Sequence, residues 1–228
     1  MQPMPGWSGL PNRLSLLRRS GPRIFDKLSR AKGPIALLDE SFMTPRQGPD
    51  SFYILCAVVV EKSEVNHLRR ALEQTVGSSA WHTSQAGRTD LGKQKIRQLA
   101  RLIAESSISV IAVVDELSEE DSQGELARAQ AMRGLLTSLA ENYVYQTGTV
   151  IYEKRVPGEM RSRDELLLKQ IRQGGSAASQ LNIWGLASKT EPLLWAPDIV
   201  AWCYRQAYFE KDESFFQDLE RSTTRILL

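Results

Sequence analysis

Ile35-Ala-Leu-Leu-Asp-Glu-Ser-Phe-Met-Thr-Pro-Arg-Gln-Gly-Pro-Asp-Ser-Phe-Tyr-Ile-Leu-Cys-Ala-Val-Val-Val60 is the stretch on which the fold turns. An apolar run, residues 35–38, stops at Asp39-Glu40-Ser41 and reads as a buried strand running into a loop. Thr44-Pro-Arg-Gln-Gly-Pro-Asp50 is dense in turn residues, and the β-branched and aromatic run 52–60 beyond it reads as a second strand. The two strands are expected to pair as a hairpin.

Downstream, Ser63 is placed to cap a helix over residues 64–76, with Val65, Leu68, Leu72 and Val76 on one face and Gly77 ending it. Residues 78–88, with Trp81-His82-Thr83, have room for a short third strand. A helix over 89–105 follows, with Ile96, Leu99, Ala100 and Ile103 inward. Residues 108–114 form the clearest strand and end at Asp115-Glu116. A helix is expected over 125–146, with Leu126, Met132, Leu135, Leu136, Leu139 and Tyr143 on its apolar face. The strand 149–152 ends at Glu153, a helix is expected over 164–172, and 174–179 reads as a flexible loop. Residues 181–186 suit another strand, and Pro197 suits the start of a last helix. An antiparallel start that turns into β-α-β alternation predicts an α/β protein with a mixed sheet flanked by helices. Such sheets place their chemistry at the carboxyl ends of parallel strands.

The chain has 228 residues, 25% charged and 42% hydrophobic, a globular composition. Its longest apolar run, residues 54–60, is far short of the ~20 residues that span a bilayer, so no membrane partner is expected. Two cysteines, Cys56 and Cys203, are too few for a disulfide framework and read as buried, reduced thiols of a cytoplasmic protein. The net charge of +2 conceals an asymmetry: residues 1–33 carry seven basic side chains against one acidic, which leaves the rest at −4. That basic arm, set apart from a domain over 34–228, suits a polyanion, because lysine and arginine gain affinity by releasing counterions from phosphates. A solvated linker with one or two short amphipathic helices is the plainer reading of the same residues.

Three expected strands end in carboxylate: Asp39-Glu40, Asp115-Glu116 and Glu153. Each alone suits a turn or a cap, but on parallel neighbours they would converge. Like charges gathered without a cation disfavour ionisation, and a divalent metal is the usual remedy. All-oxygen donors select Mg2+ or Mn2+ over Zn2+. Asp198 sits among apolar residues in the first turn of the last helix, as a dipole-stabilised cap or as a ligand. His82 lies in a polar stretch, and His67 lies beside Arg69 and Arg70 on a helix. No G-x-x-x-x-G-K-[ST], G-x-G-x-x-G after a strand, or G-x-S-x-G occurs, which removes support for those phosphate-binding and serine-hydrolase chemistries.

Ala36-Leu-Leu-Asp-Glu-Ser41, the strand 52–60, Trp81-His-Thr-Ser84 and Pro192-Leu-Leu-Trp-Ala-Pro-Asp-Ile-Val-Ala-Trp202, in this order, resemble the bacterial family catalogued as domain of unknown function 3800. Two departures are visible: Pro197 stands between Ala196 and Asp198, and Ala80-Trp81 stands where an acid commonly precedes the residue matching His82. The resemblance spans roughly residues 34–210 and implies a ribonuclease H-like α/β fold with a metal-dependent nuclease site acting on DNA or RNA. It implies metal ligation by Asp39, by Asp115, Glu153 or both, and by Asp198. Glu40 is then an additional candidate, and His82 a proton-transfer or substrate-positioning group. Lys154, Arg155, Arg161, Arg163, Lys169 and Arg172 could follow a nucleic-acid backbone, or form a solvated helix face. The rival expectation is a catalytically inactive interaction module, with Trp81, Trp184, Trp195 and Trp202 as anchors. The apolar end Thr223-Thr-Arg-Ile-Leu-Leu228 suits docking on a second copy, as in a homodimer.

Overall fold

The computed structural model describes residues 28, 30–48, 50–142, 144–186 and 191–228. The chain divides into two units, Met1–Arg30 and Ala31–Leu228, and the second carries every element that follows. Most of the basic arm, residues 1–27, lies outside the described residues.

The hairpin is present. Strand β1 (Ile35–Met43) pairs antiparallel with β2 (Phe52–Val60), from Ile35 opposite Val60 to Met43 opposite Phe52. Strand β3 (Ile108–Asp115) continues antiparallel on the other side of β2. Strand β4 (Thr149–Glu153) lies parallel to β1, and β5 (Asn182–Leu186) parallel to β4. With β6 (Thr223–Leu227) parallel to β3, the six-stranded order is β5-β4-β1-β2-β3-β6. All nine residues of β2 are buried, as expected of a central strand covered on both faces. This mixed sheet flanked by helices is the α/β architecture expected.

The helices, in chain order, are α1 (Val65–Val76), α2 (Thr83–Ala86), α3 (Asp90–Ser106), α4 (Glu125–Glu141), α5 (Glu159–Gln173) and α6 (Trp195–Tyr208). Pleating alternates the β1 side chains between two layers. Ala36 and Leu38 share a core with Ala131, Met132, Leu135, Leu136 and Leu139 of α4 and with Leu167, Leu168 and Ile171 of α5. The intervening residues Ile35, Leu37 and Asp39 therefore face the opposite layer, where α6 packs on β1 and β2 and α1 packs on α3. Leu135 is fully buried, so Leu135→Ala is expected to cost about 2–5 kcal/mol, read as a lower denaturant midpoint at unchanged slope.

Several local expectations are corrected. Residues 78–88 hold no strand but the short helix α2, where His82 O accepts bonds from the backbone of Gln85 and Ala86. Glu64 rather than Ser63 occupies the cap of α1 and makes no side-chain cap bond. Helix α4 stops at Glu141, and Leu126 at its start is 66% exposed rather than inward; Tyr143 lies outside the described residues. Helix α5 begins at Glu159, five residues earlier than expected, and a 3-10 turn, Ala177–Gln180, interrupts the expected loop. Pro197 lies in the first turn of α6, where its missing N–H costs no helical bond. The C-terminal segment forms β6, an edge strand paired with β3 of its own chain. Leu228 N donates to Val113 O at 3.0 Å, and the Leu228 side chain lies against Gly134 of α4.

Candidate functional site

The register of β1 and β4 sets the first two acids side by side. The paired rows run from Ile35 beside Thr149 to Leu38 beside Tyr152, so the next row brings Asp39 to Glu153. In parallel strands paired residues project to the same face, and both acids are half-buried on the α6 side. Asp198, in the first turn of α6, comes to that face from above the sheet. The three line one hollow of about 230 Å³ together with Glu40, Trp81, His82, Leu194 and Trp195. The indole N–H of buried Trp195 has no hydrogen-bond partner among the described residues.

Asp198 is held from α2. Its Oδ2 accepts the Thr83 hydroxyl at 2.6 Å and the Thr83 backbone N–H at 3.2 Å. Trp81 Nε1 donates to the Thr83 hydroxyl oxygen at 2.8 Å. His82, between them in sequence, is exposed on the rim of the hollow with an extended backbone. Asp39 Oδ1 accepts the Glu40 backbone N–H at 2.8 Å.

Glu40 alternates to the other face of β1, where it is ion-paired with Arg128 of α4. Arg128 also binds Asp164 of α5 at 2.8 and 3.1 Å and the Tyr53 hydroxyl at 2.8 Å. Arg155 joins the same network, donating to Asp164 at 2.6 and 2.9 Å and to Glu125. Arg128 and Asp164 are both buried, 4% exposed. This network borders a second hollow of about 320 Å³ that shares Asp39, Glu40 and Glu153 with the first and adds Lys154, Tyr152, Met132 and Met160. None of this network was singled out for a site role in the sequence except Glu40 and, as a backbone follower, Arg155. A signal existed: Arg128 heads the stripe Ala131, Met132, Leu135, and Asp164 heads Leu167, Leu168, Ile171, each at spacings of three, four and seven. Opposite charges leading two apolar stripes are candidates to meet in the core.

Asp115 does not join the other acids. Asp39 is level with Cys56 and Cys56 with Ile111, whereas Asp115 is level with Phe52 at the far end of the hairpin. It therefore lies four residues further on, about 13 Å along the strand direction, and two strands away. It lines a separate hollow with Asp50, Ser51, Glu116, Tyr208 and Lys211. The expected backbone-following cations are largely committed within the fold. Arg161 pairs with Glu165 and Arg163 with Glu159 on α5, while Arg172 donates to Ile183 O at 3.2 Å.

Both thiols lie buried near the acids. Burial pushes the Cys56 thiol well up, and the Asp39 charge adds to it; burial pushes Cys203 up as well, with Asp198 adding. A neutral, inaccessible thiol is a poor nucleophile. Native protein is thus expected to resist iodoacetamide at pH 8, with both cysteines modified after denaturation; rapid native labelling detected by mass spectrometry would contradict this arrangement.

The acids around the first hollow offer oxygen donors, the chemistry that suits Mg2+ or Mn2+. Among the described residues, no three His, Cys, Asp or Glu side chains stand close enough to hold a metal as they are. The donor set therefore fits a divalent cation in kind and in placement on one face, without being drawn to ligating distance.

No helix among the described residues is long and apolar enough to cross a membrane. No protein-family model matches the chain, and no curated protein matches it. Among solved structures, the chain is similar to RNase HII from Archaeoglobus fulgidus, solved in complex with PCNA. The TM-score is 0.49 at 14% identity, covering 84% of this chain and 82% of that one. It is also similar to a glutamine-to-alanine mutant of Bst-RNase HIII, with a TM-score of 0.48 at 13% identity over 83% of this chain and 56% of that one. For Bst-RNase HIII in complex with Mn2+ the TM-score is 0.45 at 13% identity, with the same shares.

Proposed function

We propose that the chain is a divalent-metal-dependent nuclease of the bacterial family catalogued as domain of unknown function 3800, acting in the cytoplasm on phosphodiester bonds of DNA or RNA. The observation that carries this reading is the placement of Asp39, Glu153 and Asp198 around one solvent-open hollow by three separate elements. These three would hold Mg2+ or Mn2+. When bound, such cations supply charge neutralisation at the phosphate and Lewis-acid activation of a nucleophilic water. The protein supplies the rest. The sheet fixes Asp39 and Glu153 side by side on adjacent strands, and Thr83 holds Asp198. His82 on the rim would hand a proton to a departing oxygen or orient a phosphate, and Arg128 ion-pairs with Glu40 at the edge.

Cleavage of labelled single-stranded DNA, duplex DNA, RNA and RNA–DNA hybrid with Mg2+ or Mn2+ tests this reading, with Asp39→Asn and Asp198→Asn beside the wild type. Metal-dependent cleavage lost in both variants supports it. A second reading, a nucleic-acid or protein interaction module without activity, draws on the spacing of the acids beyond ligating distance in the described residues. Binding in a shift assay without cleavage of any of the four substrates would favour that module.

A further inference from the structure

Thr83 joins two elements that are 115 residues apart in sequence, and the direction of its hydroxyl follows from its neighbours. An indole N–H can only donate, so at 2.8 Å from Trp81 Nε1 the Thr83 oxygen is the acceptor. Its single proton is then left for Asp198 Oδ2 at 2.6 Å, and an ionised carboxylate can only accept. The backbone N–H of Thr83 adds a second donor to the same oxygen at 3.2 Å. Trp81 to Thr83 to Asp198 is therefore a polarised chain with one consistent direction, and each bond in such a chain strengthens the next. Thr83 is fully buried, and water does not compete for its hydroxyl.

The segment holding this chain is clamped. A Cβ on Gly87, directly after α2, would stand 2.6 Å from the Trp202 ring of α6. A Cβ on Gly92 of α3 would meet the Ala86 backbone at 2.0 Å. Helix α2 is thus packed with almost no clearance against both α6 and α3, and Thr83 has a fixed position relative to Asp198.

We propose that Trp81 and Thr83 are positioning residues for Asp198: together they fix the plane of its carboxylate and present it to the hollow shared with Asp39 and Glu153. The proposal rests on the metal reading above for what Asp198 holds, and extends it to two residues that supply no ligand atom. Carboxylate ligands oriented by hydrogen bonds from outside the coordination sphere bind metal more tightly, and loss of such a partner commonly weakens binding by about 10–100-fold.

The test is Mn2+ titration of the full chain, with free Mn2+ followed by electron paramagnetic resonance, in the wild type, Thr83→Val, Thr83→Ser, Trp81→Phe and Asp39→Asn. Thr83→Val keeps the shape and loses the hydroxyl, and is expected to raise the half-saturating Mn2+ concentration about 10-fold. Thr83→Ser is expected to restore wild-type affinity, and Trp81→Phe to weaken binding in the same direction as Thr83→Val by a smaller factor. Thermal melting without metal identifies any variant that fails to fold; should Thr83→Val fail, Trp81→Phe and Thr83→Ser carry the comparison. Wild-type affinity in both Thr83→Val and Trp81→Phe overturns the proposal, as does an equal loss in Thr83→Ser, which would mark a packing role alone. Absence of saturable Mn2+ binding in the wild type, equal to Asp39→Asn, overturns the metal reading and this proposal with it. That failure shows in the wild type, whereas failure of the positioning role shows only in the variants.

Discussion

Asp39→Asn is expected to remove metal-dependent cleavage, by at least about 100-fold, while the protein stays folded. The substitution changes one oxygen for an amide and removes a unit of negative charge at the middle of the row shared with Glu153. Its volume is unchanged, and the bond that Asp39 Oδ1 accepts from Glu40 N can still be accepted by an amide oxygen. Stability should hold or rise slightly, because Asp39 and Glu153 are acidic residues side by side on adjacent strands. A second consequence sets this variant apart from a damaged fold. Millimolar Mn2+ should raise the melting temperature of the wild type, since a ligand that binds only the native state must stabilise it, and should do so little for Asp39→Asn. Full activity in the variant, or an equal Mn2+-induced rise, would remove Asp39 from the site.

Arg128→Ala is expected to be the most damaging change away from the hollow, costing about 3–5 kcal/mol. For a domain of this size that is a fall in melting temperature of roughly 6–20 °C. The guanidinium, 5% exposed, is the common partner of Asp164, Glu40 and the Tyr53 hydroxyl. Removing it leaves Glu40 without this buried counter-charge and Asp164 with Arg155 alone on its acceptor side of the network. Burial already holds the Tyr53 hydroxyl well above the usual phenol range, so the phenol stays neutral and loses a hydrogen-bond partner rather than a counter-charge. The surface pair Arg163–Glu159 on the same layer is the control. It is 51% and 78% exposed, and Arg163→Ala should change stability by less than about 0.5 kcal/mol. Urea midpoints of the two variants, compared at equal slope, decide the matter; similar small losses would mean that the buried network contributes no more than a surface pair.

The ends of β3 and β4 were legible in the sequence, whereas β1 does not stop at its carboxylates as expected: it runs on to Met43, because Asp39, Glu40 and Ser41 pair with Cys56, Leu55 and Ile54 of β2. The apolar runs 35–38, 108–114 and 149–152 each break abruptly at carboxylates, and the turn residues at 44–50 allow only a reversal. Those local signals correctly place the hairpin, β3, β4, α1 and α3. They failed where a segment depends on a distant partner. Strand β6 lacks a strong hydrophobic alternation and exists because β3 leaves an open edge to pair with, more than a hundred residues upstream. Helix α2 is four residues long, below the length at which periodicity can be read, and is held by Asp198, Trp202 and α3.

By itself the sequence determined the fold class, the buried thiols and the identity of the acids available to a site, since each follows from residue type and local order. Only the tertiary structure decided which of those acids share a hollow. Asp39, Glu153 and Asp198 meet because parallel pairing puts the first two level on neighbouring strands and α6 crosses above them, whereas the β3 register carries Asp115 to another end. It alone also decided that Glu40, one residue from Asp39, belongs to the opposite layer, because a pleated strand turns successive side chains to opposite faces and Arg128 waits on the second one.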